Sequence, residues 1–172
     1  MSKQTIPEYP RVIVDCGAIE GFRLSVQGKN DLAIFWGIPY AKPPVGERRW
    51  RAPEAPDSWS GIRQAKSFSP ACAQFIGGED FFRRTILDAF DMKAPEPLPI
   101  KYSEDCLYLN IYSESLDTQT RHPVMVWIHG GAFMYGTGAD YDPQHLARKG
   151  VVVVTINYRL HLRLDIDISM LG

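Results

Sequence analysis

Two short runs of apolar, mostly β-branched residues constrain the fold of this chain more than anything else in it: Val124–Ile128, and residues 151–157 (Val-Val-Val-Val-Thr-Ile-Asn). Near-continuous apolar runs of strand length are the signature of strands covered on both faces, as in a parallel sheet. Between them lie a glycine-rich stretch and a short helical pattern. Asp142 suits the N-cap of that helix, Pro143 its first position and Gly150 its C′ position. Strand, loop, helix and strand in that order make a right-handed crossover, which places the chain in the α/β class. The first run stops on His129-Gly130-Gly131-Ala132, at the end of a buried strand, where α/β sheets place their ligands.

Upstream, residues 11–14 and 18–26 read as short strands with a turn at 15–17, and 32–37 as a further strand, because β-branched and aromatic residues dominate. Residues 38–46 carry the adjacent prolines Pro43 and Pro44 and read as an extended surface loop, whose character continues through Pro53, Pro56 and Gly61. Apolar residues at Phe81, Phe82, Ile86, Leu87, Ala89 and Phe90 predict an amphipathic helix over 79–92, ended by the proline-rich 94–100. Residues 106–112 alternate and predict a strand. No internal repeat or low-complexity segment interrupts this order.

Composition excludes several function classes. A chain of 172 residues supports one domain with a core. With 19 Lys+Arg against 20 Asp+Glu it has no field to attract phosphate backbones, so no nucleic-acid partner is expected. The apolar runs are too short to span a bilayer, so no membrane partner is expected either. The opening residues Met1-Ser2-Lys3-Gln4-Thr5-Ile6-Pro7-Glu8 lack the apolar core of a signal peptide, and no Asn-x-Ser/Thr sequon occurs. Both absences lead us to expect a cytoplasmic chain. Three cysteines, Cys16, Cys72 and Cys106, match no zinc spacing. One pair plus one buried free thiol is the economical reading.

Acyl transfer passes through a tetrahedral intermediate with a negative oxygen, and backbone N–H groups must be aimed at that oxygen in advance. Side chains close to those amides would block substrate, so such positions demand Gly or Ala, as at Gly130, Gly131 and Ala132. Losing one such donor costs about 3–4 kcal/mol of barrier. Read on these residues alone, the glycine pair is equally a simple turn after a strand. The serine that an oxyanion hole serves sits on a Gly-x-Ser-x-Gly turn, and no such pattern occurs in the 172 residues.

Four ordered blocks resemble the N-terminal part of the type-B carboxylesterases, the group that includes the cholinesterases. Residues 35–46 (Phe-Trp-Gly-Ile-Pro-Tyr-Ala-Lys-Pro-Pro-Val-Gly) are similar to that family's early block, and Arg49-Trp50, Pro53, Trp59 and Gly61 continue it. Ser103-Glu104-Asp105-Cys106-Leu107-Tyr108-Leu109-Asn110 resembles its second signature. Residues 126–133 resemble its oxyanion block and 152–160 the strand that follows. The resemblance implies a partial α/β-hydrolase fold, with N-terminal antiparallel strands leading into a parallel sheet, that stops before the nucleophile elbow. It implies hydrolysis of small-molecule carboxylic esters by a Ser-His-Glu/Asp triad, with no cofactor and no metal. Carried over, the oxyanion donors are the N–H groups of Gly131 and Ala132, with Gly130 permitting close approach. Cys72 and Cys106 match the family's first disulfide pair. Such a bond closes a 34-residue loop (106 − 72), worth roughly 3–4 kcal/mol in the chain-entropy model, though a reducing cytosol would leave it open.

Residues 161–172 match nothing in the family, so 1–160 reads as the N-terminal part of an esterase domain and 161–172 as an unrelated tail. The nucleophile, acid and catalytic histidine follow later in the family's chain order, and the chain is expected to be an inactive, poorly soluble fragment with 151–156 left as an exposed apolar edge. Two alternatives are a non-catalytic, cholinesterase-like interaction module and a short product that pairs with a full-length paralogue. Local substitutes for the triad are weak. His129 reads as a satisfied strand-end histidine, Ser169 has no flanking glycine, and Asp165-Ile166-Asp167 lacks the glycine and terminal glutamate of a calcium loop. Glu104 and Asp105 read as loop-holding ion-pair partners, and Trp36, Tyr40, Trp50 and Trp59 as core or loop anchors. Phe133 and Tyr135 are the aromatics placed to touch an acyl or alcohol group. Neither the particular ester nor the oligomeric state follows from these patterns.

Overall fold

Alternation and β-branching produce ten strands among the described residues. The computed structural model describes residues 5–74, 85, 87, 89, 90 and 101–160. The strands are β1 (Arg11–Val14), β2 (Gly17–Glu20), β3 (Phe22–Leu24), β4 (Leu32–Pro39), β5 (Ile62–Gln64), β6 (Ala71–Cys72), β7 (Tyr102–Ser103), β8 (Tyr108–Ser113), β9 (Val124–Ile128) and β10 (Val152–Ile156). A 3₁₀ turn spans Gly46–Arg48, and a helix α1 spans Gln144–Ala147. The main sheet has the order β3-β4-β8-β10-β9. Its pairs are antiparallel up to β10, which then pairs parallel with β9. Antiparallel strands therefore lead into a parallel pair, as expected. A three-stranded sheet β1-β2-β5 and a two-stranded β6-β7 complete the set.

The strand expected over 18–26 is two strands in two sheets, parted at Gly21. A Cβ there would lie 2.1 Å from the Ile34 carbonyl oxygen, so the chain can change sheets against β4 only without a side chain. The turn before it is Asp15-Cys16, with Gly17 already in β2.

The strand covered on both faces is β4. Leu32 and Ile34 pack with Tyr112, Ala147 and Val153 on the α1 side. Ala33, Phe35 and Ile38 pack with Ile6, Ile19 and Ala65 on the side of the small sheet. Adjacent residues thus feed two cores, as the period of two requires. Here β4 runs on to Pro39, which pairs with Tyr108 at the end of the ladder, where a missing N–H is tolerated. The loop expected from residue 38 begins two residues later. A register shift between Phe35 and Ile38 is held by Asn110, whose Oδ1 accepts from Gly37 N (3.0 Å) and whose Nδ2 donates to Thr155 Oγ1 (3.0 Å). One buried carboxamide thus crosses β4, β8 and β10.

The two apolar runs that define the fold class do not have the burial expected of them. In β10, Val153 and Thr155 are buried and their neighbours half-buried. All five residues of β9 are exposed, from 44% at Trp127 to 64% at Ile128. The expected free edge is also misplaced: β10 lies between β8 and β9, and it is β9 whose outer edge is unpaired among the described residues. Sequence order does not reveal sheet order, because the crossover returns β10 to the inner side of β9. The helix is shorter than its caps imply. Asp142 Oδ1 nonetheless accepts from Gln144 N (3.1 Å), as an N-cap does, and Gly150 takes φ +79° beyond its end.

Cys72 and Cys106 are bonded, with Cα atoms 4.8 Å apart, and sit among Ala41, Leu107 and Leu160. Cys16 is the free thiol, half-buried rather than buried. Of the helix expected over 79–92, residues 85, 87 and 89 are helical. Phe90 is in a turn, and the remaining residues of 79–92, residues 94–100 and the 161–172 tail lie outside the described residues.

Glu20 ties the small sheet together. Its carboxylate accepts from Lys66 Nζ and from Arg11 Nε (2.6 Å). Those two bonds, Lys66 first, hold its pKa down from about 4.5 to about 2. A carboxylate with a depressed pKa stabilises the fold above its unfolded value, and loses that contribution as pH falls through its folded value. The stability advantage of the native chain over Glu20→Gln should therefore shrink as pH falls from about 4.5 to about 2. Urea unfolding of both chains across that window measures it; a constant difference would show that the ion pairs do not carry it.

Candidate active-site loop

The loop after β9 uses its carbonyls and, among the described residues, leaves amides free. The carbonyl of Gly131 accepts from Met134 N (2.9 Å) and Tyr135 N (3.3 Å). The carbonyl of Gly130 lies 2.8 Å from His129 Nδ1. A carbonyl only accepts, so this bond puts the proton on Nδ1. Among the described residues no hydrogen bond occupies the N–H of Gly131 or Ala132. Gly130 and Ala132 are exposed, so a hydrogen-bond acceptor can reach this stretch. Consecutive free amides with their carbonyls turned elsewhere give a local positive potential suited to an anionic oxygen.

The backbone here is strained. Gly131 has φ +114°, and the non-glycine residues Ala132 and Phe133 have φ +54° and +60°. Each such non-glycine residue costs about 1–3 kcal/mol and persists only where its surroundings over-determine it. Gly131 itself admits no side chain: a Cβ would fall 1.9 Å from the Tyr135 carbonyl oxygen. Gly130 differs, since among the described residues a Cβ there meets nothing within 4 Å. The fold itself does not demand glycine at 130.

Three buried side chains and the half-buried Tyr158 over-determine the loop. His129 is 3% exposed, and its ring stacks on Tyr158 with centroids 4.3 Å apart. The Tyr158 hydroxyl donates to the His129 carbonyl (2.6 Å), and burial raises its pKa, which keeps it a donor. Asn157 Oδ1 accepts from Gly138 N (2.8 Å) and Thr137 Oγ1 (3.0 Å). Gln74 accepts from Gly136 N (2.7 Å) and donates back to Gly136 O (3.1 Å). His129 is thus the satisfied histidine expected. Gln74, Asn157 and Tyr158 were not singled out from sequence. Gln74 and Gly136 are 62 residues apart, and no spacing rule links them.

The other candidates separate clearly. Glu104 pairs with Arg49 in two hydrogen bonds, joining β7 to the 3₁₀ turn. Asp105 makes no ion pair among the described residues; its N–H donates to Ser103 Oγ (3.1 Å). Trp36 stacks on Phe68 and donates to Tyr112 OH (2.8 Å), Trp59 donates to Ala18 O (2.8 Å), and Tyr40 OH donates to Asn157 O (2.6 Å). These three are anchors, whereas Trp50 is 76% exposed. Phe133 (68%) and Met134 (55%) offer apolar surface beside the free amides; Tyr135 turns its carbonyl under Gly131. Ser169 and Asp165-Ile166-Asp167 lie outside the described residues. Among the described residues no cluster of three His, Cys, Asp or Glu side chains could hold a metal ion, and no helix is long and apolar enough to cross a membrane.

Comparison with known proteins agrees in kind with this geometry. Residues 8–162 match the carboxylesterase family. The chain is 40% identical over 156 residues to a medium-chain fatty acyl-CoA hydrolase precursor of Anas platyrhynchos, covering 89% of this chain and 27% of that protein. It is 43% identical over 147 residues to liver carboxylesterase 1 of Oryctolagus cuniculus, covering 84% and 25% respectively. Among solved structures it is similar to a PNB esterase (TM-score 0.67, 38% identity, 87% of this chain and 28% of that one). It is also similar to a Geobacillus stearothermophilus carboxylesterase (TM-score 0.65, 40% identity, 88% and 27%). The chain therefore spans about a quarter of the length of the curated relatives it matches.

The contrast between the two glycines is measurable. Gly130→Ala should leave thermal stability within about 0.5 kcal/mol, because its Cβ meets open space. Gly131→Ala should cost about 2 kcal/mol or more, from the clash with Tyr135 and the positive φ. Thermal melts of the two variants decide it, and equal shifts would contradict the loop geometry.

Proposed function

The chain belongs to the carboxylesterase family, and on that premise we propose that it carries the oxyanion-stabilising loop of a serine hydrolase acting on carboxylic esters. The observation that carries this reading is the pair of amides at Gly131 and Ala132, unbonded among the described residues, in a strained loop at the end of β9. As a nucleophile adds to the ester carbonyl, charge builds on its oxygen. Two N–H groups already free and held in place stabilise that charge without reorganising, and each such donor is worth about 10²–10³ in rate. His129 and Tyr158 keep the loop from relaxing during the reaction. Phe133 and Met134 favour an apolar acyl or alcohol group beside the reacting carbon.

The nucleophile itself needs a Gly-x-Ser-x-Gly elbow, which these 172 residues do not contain. The residue after that serine would supply the third amide. The relatives are named as hydrolases and carboxylesterases, which supports a catalytic reading over a non-catalytic interaction module. The chemistry proposed draws on amides and side chains and calls for no cofactor.

Two experiments test this. The transcript, read through and beyond the Leu160 codon in every frame, should encode Gly-x-Ser-x-Gly followed by an acidic residue and a histidine. A confirmed stop with no such frame would remove the enzyme reading. The purified 172-residue chain should release no burst of p-nitrophenolate from p-nitrophenyl butyrate and take up no fluorophosphonate label, whereas a clear burst would mean that a nucleophile within these residues does the chemistry.

A further inference from the structure

We propose that Gln74 is a positioning residue that sets the direction of the Gly131 and Ala132 amides from the far side of the loop; this rests on reading those amides as the oxyanion donors. Gln74 is 4% exposed, and its carboxamide is fully engaged. Its Oε1 accepts from Gly136 N (2.7 Å), and its Nε2 donates to Gly136 O (3.1 Å) and to Cys72 O (3.0 Å). Both peptide groups that flank the Gly136 Cα are thereby fixed. The C=O of Tyr135, in the peptide that supplies the Gly136 N–H, is the atom lying under Gly131, 1.9 Å from where a Cβ would be. On the other side, the Gly136 Cα sits against the His129 ring, where a Cβ would be 2.5 Å from Nδ1. Holding Gly136 therefore holds the Tyr135 carbonyl, which in turn holds Gly131 at φ +114° and the strained Ala132 after it.

The clamp is itself anchored. Cys72, whose carbonyl Gln74 holds, is in β6 beside β7 and is bonded to Cys106. The positive-φ residues lie in an exposed loop and would relax without such an external grip. The planar amide supplies two donors and an acceptor side by side here. An ionised Glu has acceptors alone and would face the two carbonyls, while Met has neither.

Hydrogen exchange followed by mass spectrometry on the 172-residue chain tests this. In Gln74→Met, the hydrogen-bonded loop amides, those of Met134, Tyr135 and Gly136, should exchange roughly tenfold to a hundredfold faster than in the native chain, the effect of losing two or three buried hydrogen bonds. The β10 amides should stay within about twofold of native, because the β8–β10–β9 ladder does not pass through Gln74. Gln74→Glu adds a switch. At a pH that keeps its carboxyl protonated it retains an acceptor for Gly136 N and one O–H donor, and should exchange closer to the native chain than to Gln74→Met; once ionised it should behave like Gln74→Met. His129 and Tyr158, the titratable groups packed on the loop, are present in both chains, so comparing each pH with native cancels their contribution. An unchanged loop in Gln74→Met would overturn the proposal, as would β10 amides that accelerate as much as the loop. If Gln74→Met fails to fold, a Gln74→Glu loop that shows no pH-dependent departure from native overturns it alone. Exchange reads hydrogen bonding and not ester chemistry, so a failed esterase reading would leave this result standing.

Discussion

The structure around the site depends on one buried residue at the end of β10. Asn157 is 5% exposed and spends every polar group it has. Its backbone N–H reaches Tyr108 O and its carbonyl takes the Tyr40 hydroxyl. Its side-chain oxygen takes Gly138 N and Thr137 Oγ1, and its amide donates to Pro70 O and Ser69 Oγ. One residue thus joins β10, by its backbone N–H, to the end of β8 and, by its side chain, to the segment before β6 and the far limb of the 129–138 loop. In a low-dielectric interior an unmade bond costs more than a made one gains. Such a fully satisfied residue therefore specifies a single arrangement of four segments. A leucine here would leave the side chain's partners, Gly138 N, Thr137 Oγ1 and Pro70 O, unpaired.

The loop is built as a strained arch between two fixed abutments. His129, stacked on Tyr158, holds one end; Gln74 and Asn157 hold the other at Gly136 and Gly138. Between them the carbonyls of Gly130 and Gly131 are bonded inside the loop, and among the described residues the amides of Gly131 and Ala132 are not. This division of labour turns a tight turn into an anion-directed one. Free amides alone would be solvated and mobile. Held by buried side chains, they are preorganised, and preorganisation is what gives an oxyanion site its catalytic advantage. The apolar residues Val124–Ile128 supply the rigid strand from which the arch springs, through five parallel register pairs with β10.

Much of this was legible in the residues. The β-branched runs marked β9 and β10, the alternation marked β8, and the small residues after His129 marked the loop. The cysteine pair and the order of antiparallel strands followed from the family resemblance, and the Glu104 ion pair had been expected. Other features were not legible, each for a physical reason. The break at Gly21 exists because the Ile34 carbonyl lies against it, a contact made only after β4 is in place. The exposed β9 has the composition of a covered strand, because composition records what a strand can be buried against and not what the described residues place there. Gln74 looks in sequence like any polar residue after a cysteine.

The sequence by itself determined the class of the fold, the position of the small-residue loop at a strand end and the family. These are properties of local pattern: period, β-branching, cap residues and ordered motifs. Tertiary structure alone decided that β10 lies inside β9, that β4 is the strand buried on both faces, that Gly131 and not Gly130 is sterically required, and that Gln74, Asn157 and Tyr158 hold the loop. Each of these depends on groups far apart in the chain being brought into contact, as with the 62 residues between Gln74 and Gly136. Hydrogen bonds and steric exclusion act at about 3 Å, a range that no one-dimensional pattern contains.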